Sequence, residues 1–124
     1  MAKRDRARAR ALGALGEDIA TSFFKDRGYD ILERNYRVPV GEIDLICKKG
    51  DLIVFVEVKT RSTNGFGGIK EAITPWKIER IKKAAMWYIM REGERGYDYR
   101  FDCVFIRKEG DRVDIEHIAA AFGS

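Results

Sequence analysis

The sequence GEIDLICKKGDLIVFVEVKTR, at residues 41–61, decides the fold. It contains two apolar segments rich in β-branched residues, GEIDLICKK and DLIVFVEVKT, which meet at a glycine-containing turn. Two such segments around a turn are typical of a β-hairpin. The second segment is apolar at consecutive positions from 52 to 56, which is typical of a central strand covered on both faces.

Helical signals lie on both sides of this hairpin. Before it, apolar residues recur at helical spacing over residues 11–27, and Gly28 stands where a left-handed C-cap belongs. A short strand is expected over residues 29–34. After the hairpin, Thr74 and Pro75 indicate the N-cap and the first position of a second helix.

Gly93 ends the second helix, and two more strands are expected over residues 101–106 and 113–118. The predicted order is helix, three strands, helix, two strands. A crossover helix between the third and fourth strands implies that these two run parallel. The sequence therefore predicts an α/β protein with a central mixed sheet flanked by helices.

Size and composition favour one globular domain. The chain has 124 residues, of which 45% are hydrophobic and 35% charged. No apolar run approaches the ~20 residues that span a bilayer, and the first ten residues lack the apolar stretch of a secretory signal. Cys47 and Cys103 stand alone in apolar segments, which favours core thiols over a disulfide or a zinc site. We expect a cytoplasmic protein that does not engage membranes.

Positive charge is concentrated at the start of the chain. Residues 1–10 carry five basic side chains against one acidic one, which accounts for the whole formal net charge of +4. We therefore divide the chain into a basic N-terminal arm, residues 1–10, and a single domain, residues 11–124. The arm favours binding to a polyanion, because each phosphate contact releases counterions. The alternative is a solvated helix start that binds nothing. The candidate contacts in the arm are Arg4, Arg6, Arg8 and Arg10.

Charged side chains interrupt the apolar strands of the hairpin. Asp44 lies within EIDLIC, and Glu57 and Lys59 lie within VFVEVK. Buried charges are rare unless they are paired or bind a metal, because desolvation of an ion costs several kcal/mol. An ion pair between Lys59 and one carboxylate is the structural alternative. Elsewhere, Asp102 is expected to pair with an arginine, and His117 is expected to be structural.

The hairpin turn predicts how the carboxylates face each other. If Lys48 pairs with Asp51 across a two-residue loop, Asp44 lies opposite Phe55 and diagonal to Glu57, at roughly 7–8 Å between Cα atoms. Side chains alternate along a strand, so Asp44, Glu57 and the lysine two residues further on share one face. An odd register would move Asp44 to the other face.

This set of groups suits phosphodiester hydrolysis. Mg²⁺ prefers oxygen ligands and keeps several waters, so Asp44, Glu57 and a backbone carbonyl, that of Val58, suffice to hold it. The cation lowers the pKa of a bound water and offsets charge on phosphoryl oxygens. Lys59 is placed to orient that water or to stabilise the transition state.

The pattern of Asp44 and Glu57-Val58-Lys59 after a helix resembles the PD-(D/E)xK, or restriction-endonuclease-like, nuclease superfamily. The segments GEIDLI, VFVEVKTR and RFD, with the terminal AF and the later Lys77, more closely resemble the YraN-type family of uncharacterised nuclease-like proteins. The resemblance implies an αβββαβ core and Mg²⁺ or Mn²⁺ as cofactor. The layout is also similar to archaeal Holliday-junction resolvases, which implies that Glu17 is a third acidic group near the metal.

Several further residues are candidates for contact with the nucleic-acid backbone. Lys77 stands in the first turn of the second helix, where a cation is mildly unfavourable, and this favours a functional reason for it. Arg61, Asn64 and the glycines after them form a loop next to Lys59 that is placed to close on a phosphate, or is simply a long connection.

The sequence thus predicts a Mg²⁺- or Mn²⁺-dependent endonuclease acting on DNA, with branched or damaged DNA as candidate substrates and RNA left open. A four-way junction needs two symmetric cuts and would imply a homodimer. The alternative is a non-catalytic nucleic-acid-binding module on the same fold. A protein-interaction scaffold is a third option, supported only by the electrically neutral body.

Overall fold

The computed structural model describes residues 3–61, 73–93 and 95–123. Their five strands form one sheet with the order β1-β2-β3-β4-β5, in which β3 and β4 are parallel and the other neighbours are antiparallel. The elements are α1 (Lys3–Asp26), β1 (Asp30–Val38), β2 (Gly41–Lys49), β3 (Leu52–Arg61), α2 (Pro75–Glu92), β4 (Asp98–Glu109) and β5 (Arg112–Phe122). The predicted α/β class, the element order and the parallel pair are confirmed.

Helix α1 begins much earlier than the sequence pattern predicts. The predicted start at residue 11 is wrong, because α1 begins at Lys3 and residues 3–10 are already helical. The arginine- and alanine-rich segment at residues 3–10 has high helix propensity but no apolar stripe. Hydrophobic periodicity detects only the part of a helix that packs against the sheet. The C-cap prediction is confirmed, since Gly28 adopts a φ of 88°. Within the described residues, neither helix is long and apolar enough to cross a membrane.

The two helices cover opposite faces of the sheet and create two cores. Residues 53–57 of β3 are buried, as expected for a central strand, and the two cysteines are buried free thiols. The core on the α1 side contains Ala20, Phe24, Leu45, Cys47, Val54, Val56, Val104 and Ile106. The core on the α2 side contains Ile43, Ile46, Ile53, Phe55, Ile81, Ala84, Ala85, Tyr88 and Phe101.

The β2–β3 register differs from the predicted one by two residues. Lys49 pairs with Leu52, so the loop consists of Gly50 and Asp51, and Phe55 faces Ile46 rather than Asp44. Gly50 adopts a φ of 59° at the first central position of the turn, where type II′ hairpin turns place glycine. A shift of two residues preserves the predicted faces within the paired stretch, residues 45–49 and 52–56.

The fourth strand carries a buried carboxylate that fixes the end of β5. Asp102 is fully buried and forms the predicted salt bridge to Arg100, at 2.7 Å between Nη2 and Oδ2. Its carboxylate also lies 2.7 Å from His117 Nε2 and accepts a bond of 3.0 Å from the backbone N–H of Ala120. Burial opposes ionisation, but these hydrogen bonds prevail and lower the pKa of Asp102. Asp102 therefore serves a structural role, at a bulge between β4 and β5 where Ala120 adopts a φ of 52°.

We expect Gly41→Ala to destabilise the protein by about 1–3 kcal/mol, because a Cβ at Gly41 would lie 1.9 Å from the Arg80 carbonyl oxygen in α2. Urea unfolding at constant m-value measures this change. Gly13→Ala is the matched control: a Cβ there meets nothing within 4 Å, and we expect a gain of about 0.5–1 kcal/mol in a helix. Equal effects of the two substitutions would contradict the close packing of α2 on β2.

Candidate active site

Strands β2 and β3 separate at Asp44. The last residue pair of their ladder is Leu45 with Val56, and one further step would place Asp44 opposite Glu57. Instead the Asp44 side chain enters the gap, where its Oδ2 accepts a hydrogen bond of 2.8 Å from the backbone N–H of Val58. Strand β2 remains paired with β1 beyond this point, with Tyr36 opposite Ile43. We call this opening, bounded by Asp44 and by residues 56–58, the fork.

The fork also changes the direction of β2. Ile43 packs in the α2-side core together with Ile46, whereas strict alternation would place Ile43 with Leu45 on the α1 side. The strand therefore turns at Asp44. This turn lets a carboxylate lie between the two strands rather than above one face.

Glu57 brings a second carboxyl group into the fork. Its side chain is 2% exposed and contacts Asp44. Burial first, and then the hydrogen bond with Asp44 and its negative charge, raise the pKa of Glu57 to about 9, although Lys77 and Lys59 act in the opposite direction. The Asp44–Glu57 pair therefore holds a proton more readily than two separate carboxyl groups would.

Lys59 and Glu17 approach the same place from β3 and α1. Lys59 lies two residues beyond Glu57 on the same face, and its positive charge acts to lower the pKa of Glu57. Within the described residues no ion pair links Lys59 to Asp44 or Glu57, so the structural alternative for this lysine is not found there. Burial and the charge of Asp44 raise the pKa of Glu17, despite its hydrogen bond with Asn35.

A close helix–strand contact sets the position of Glu17. A Cβ at Gly16 would lie 1.9 Å from Thr60 Oγ1, so a larger residue at this position would displace the Thr60 side chain where α1 approaches the end of β3. The next residue along α1 is Glu17, which faces the fork from the α1 side. Glu17 thus lies at the same end of the sheet as Asp44 and Glu57, near enough for the charge of Asp44 to raise its pKa.

An ion-pair cluster on the α2 side was not predicted from the sequence. Lys77 Nζ lies 3.2 Å from Glu42 Oε1 and 3.6 Å from Glu57 Oε2. Arg80 binds the other oxygen of Glu42 at 2.7 Å. Burial alone would lower the pKa of Lys77, but the carboxylates of Glu57 and Glu42 raise it overall. Lys77 is therefore held beside Glu57 instead of projecting freely, and the only sequence signal for this is the spacing of Lys77 and Arg80 on one helix face.

The donor atoms in the fork suit a hard divalent cation. Among the described residues, no three His, Cys, Asp or Glu side chains lie close enough to hold one ion, so a side-chain site here has two carboxyl groups. Val58 points its N–H toward Asp44, and the carbonyl of a strand residue points to the same side as its N–H. Asp44, Glu57 and the Val58 carbonyl thus supply only oxygen donors, which Mg²⁺ and Mn²⁺ accept together with water.

The remaining predicted residues lie outside this cluster. Arg61 is exposed at the end of β3 and is in register with Arg107 of β4. Asn64 lies outside the described residues, as do the glycines that follow it. Residues 4, 6, 8 and 10 are exposed arginines on α1. Since a helix rises about 1.5 Å per residue, Arg10 is about 10 Å along the axis from Glu17, and the other arginines lie further out.

The residues of the fork lie within a region of the chain that matches a known protein family. A family model described as "Uncharacterised protein family UPF0102" matches residues 16–106. A UPF0102 protein from Syntrophomonas wolfei is 46% identical over 113 residues, covering 91% of this chain and 98% of the relative. One from Dictyoglomus thermophilum is 45% identical, with 90% and 96% covered. A third, from Geotalea uraniireducens, is 42% identical over 123 residues, with 98% and 97% covered.

We expect Glu57→Gln to stabilise the metal-free protein by about 1 kcal/mol or more at pH 8. The folded pKa of Glu57 is raised from 4.5 to about 9, so the native state holds a proton that the unfolded chain releases. The free energy of unfolding therefore falls progressively as the pH rises from about 4.5 to 9. In Glu57→Gln the side chain does not titrate, so this fall is absent.

Urea unfolding in EDTA at pH 5 and pH 8 measures this effect, which should be small at pH 5. Glu33→Gln, at an exposed position on β1, is the matched control and should change little at either pH. A loss of stability in Glu57→Gln at pH 8 would show instead that Glu57 is held as the anion of a favourable ion pair.

Proposed function

This chain belongs to the uncharacterised protein family UPF0102, and we propose that it is a Mg²⁺- or Mn²⁺-dependent endonuclease that hydrolyses phosphodiester bonds of DNA in the cytoplasm. The observation that supports this most is the buried Glu57 carboxyl placed against Asp44 at the fork. Two carboxyl groups forced together in a buried position are unfavourable unless a cation or a proton lies between them.

Each residue of the cluster has a role in this proposal. Asp44, Glu57 and the Val58 carbonyl would hold the cation, which when bound lowers the pKa of water and offsets charge on the phosphoryl group. Lys59 donates hydrogen bonds to the phosphate or to the attacking water. Glu17, oriented by Asn35, accepts a hydrogen bond from water on the α1 side.

The charge around the fork favours a polyanionic substrate. Lys77 lies 3.6 Å from Glu57 Oε2 and offsets part of the negative charge that would otherwise repel a phosphate. The exposed arginines of α1 and Arg61 add positive charge at the periphery. The element order also fits the αβββαβ core of the restriction-endonuclease-like superfamily. Branched or damaged DNA is the proposed substrate class, and RNA is tested beside it.

We expect Mn²⁺ or Mg²⁺ to stabilise the native protein, by about 2.7 kcal/mol at a free concentration about 100-fold above Kd. Thermal unfolding across a titration of each cation measures this gain. Asp44→Asn should abolish it, because a ligand is lost, whereas Lys59→Met and the control Asp51→Asn, in the β2–β3 turn, should retain it. An equal gain in Asp44→Asn would place the cation elsewhere.

We expect metal-dependent cleavage to fall by about 10²–10³ in both Asp44→Asn and Lys59→Met. The assay uses linear, nicked, flapped and four-way DNA, and RNA, with Mg²⁺, Mn²⁺ or EDTA. Lys25→Met, at an exposed position at the far end of α1, and Asp51→Asn are matched controls that should cleave normally. Binding without cleavage of any substrate would contradict the enzyme and favour a nucleic-acid-binding module.

A further inference from the structure

Helix α2 carries large apolar side chains on the face that points away from the sheet. Trp76 is 68% exposed, Met86 57% and Met90 79%. At 100° per residue, this face lies opposite the buried stripe of Ile81, Ala84, Ala85 and Tyr88. The outward face of a surface helix is normally polar, so three large apolar side chains along it make this face a candidate interaction surface.

The spacing of these residues is that of a helix-pairing seam. Together with two charged residues they recur at alternating intervals of three and four, which is the a/d pattern of coiled coils. We call this set the α2 stripe: Trp76, Glu79, Lys83, Met86 and Met90. Both charged members are exposed, and within the described residues neither takes part in an ion pair.

The order of the residues in the α2 stripe selects one way of pairing with a second copy. In a parallel pair each position meets itself, so Glu79 would face Glu79 and Lys83 would face Lys83, which is repulsive. In an antiparallel pair a positions meet d positions, so Glu79 of one copy faces Lys83 of the other. The same alignment places Trp76 opposite Met86, and sulfur–aromatic contacts of this kind are favourable.

We propose that two copies of this chain associate through their α2 stripes as an antiparallel, two-fold symmetric dimer. A two-fold axis across the helix makes the interface self-complementary, with two Glu79–Lys83 pairs at its centre and a Trp76–Met86 contact on each side. Arg80 lies over the Trp76 ring at 5.2 Å and helps to hold that ring in place. The proposal uses no residue of the fork and does not depend on the proposed function.

The size of the surface sets the expected affinity. An 18-residue helix is about 27 Å long, and one helix against another covers less than a standard interface. The dimer is therefore a reversible one that forms at micromolar or higher concentration. Its observable sign is a sedimentation coefficient that rises with protein concentration.

Charge reversal across the dimer interface tests the proposal. Sedimentation velocity of the full chain, from about 5 to 500 μM, is expected to show a reversible monomer–dimer equilibrium. Glu79→Lys and Lys83→Glu should each weaken it at least about tenfold, because each creates two like-charge pairs. An equimolar mixture of these two variants should recover near-native affinity, because every pair across the heterodimer is again of opposite charge.

The controls separate this surface from other effects of charge. Glu33→Lys on β1 and Lys25→Glu on α1 are charge changes at exposed positions away from the α2 stripe. Each variant by itself, and the two mixed, should show the same monomer–dimer equilibrium as the native chain. Circular dichroism checks that every variant is folded. A native chain that stays monomeric over the whole range overturns the proposal, as does a dimer that persists in both α2 variants. Failure of the mixture to restore association also overturns it, because the pairing of Glu79 with Lys83 would then be wrong.

Discussion

The hydrogen bond from the Val58 N–H to Asp44 Oδ2 is the contact on which the fork depends. Where two strands separate, the backbone groups between them lose their partners, and a buried N–H without a partner is costly. The Asp44 carboxylate replaces the main-chain acceptor that β2 no longer supplies, so the sheet opens without leaving Val58 unsatisfied. The opening then leaves space for the Glu57 carboxyl, with α1 presenting Glu17 on one side and α2 presenting Lys77 on the other.

The parts of the fold that depend on local pattern could be predicted. Thr74 caps α2 as expected, with its side chain accepting a bond from the Lys77 N–H, and the crossover makes β3 and β4 parallel. The hairpin register was predicted wrongly, because a Lys49-Gly50 loop would place lysine at the first central position, where both hairpin turn types need a positive φ, whereas the observed Gly50-Asp51 loop places glycine there. Gly50 adopts this positive φ in the structure, so the turn preference of glycine was the signal that the predicted register overlooked.

The residues of the candidate site that could be predicted are those that break an apolar pattern in the sequence. The residues that were missed are those brought to the site only by tertiary contact. Asp44, Glu57 and Lys59 stand out because they interrupt buried strands. Glu42 and Lys77 lie 35 residues apart in sequence, and nothing local connects them. The prediction that Lys77 contacts phosphate therefore overlooked its place beside Glu42 and Glu57.

Two buried carboxyl groups in neighbouring strands lie in opposite electrostatic environments. Asp102 is surrounded by donors, from Arg100, His117 and the Ala120 N–H, and its pKa is lowered. Glu57 is equally buried but lies against another carboxyl group, and its pKa is raised. A chain that needed only a stable sheet would gain by an apolar residue or a donor in place of Glu57, because close carboxyl groups repel. The presence of Asp44 and Glu57 together at an opening lined with oxygen donors therefore supports a cation as the partner that completes the fork.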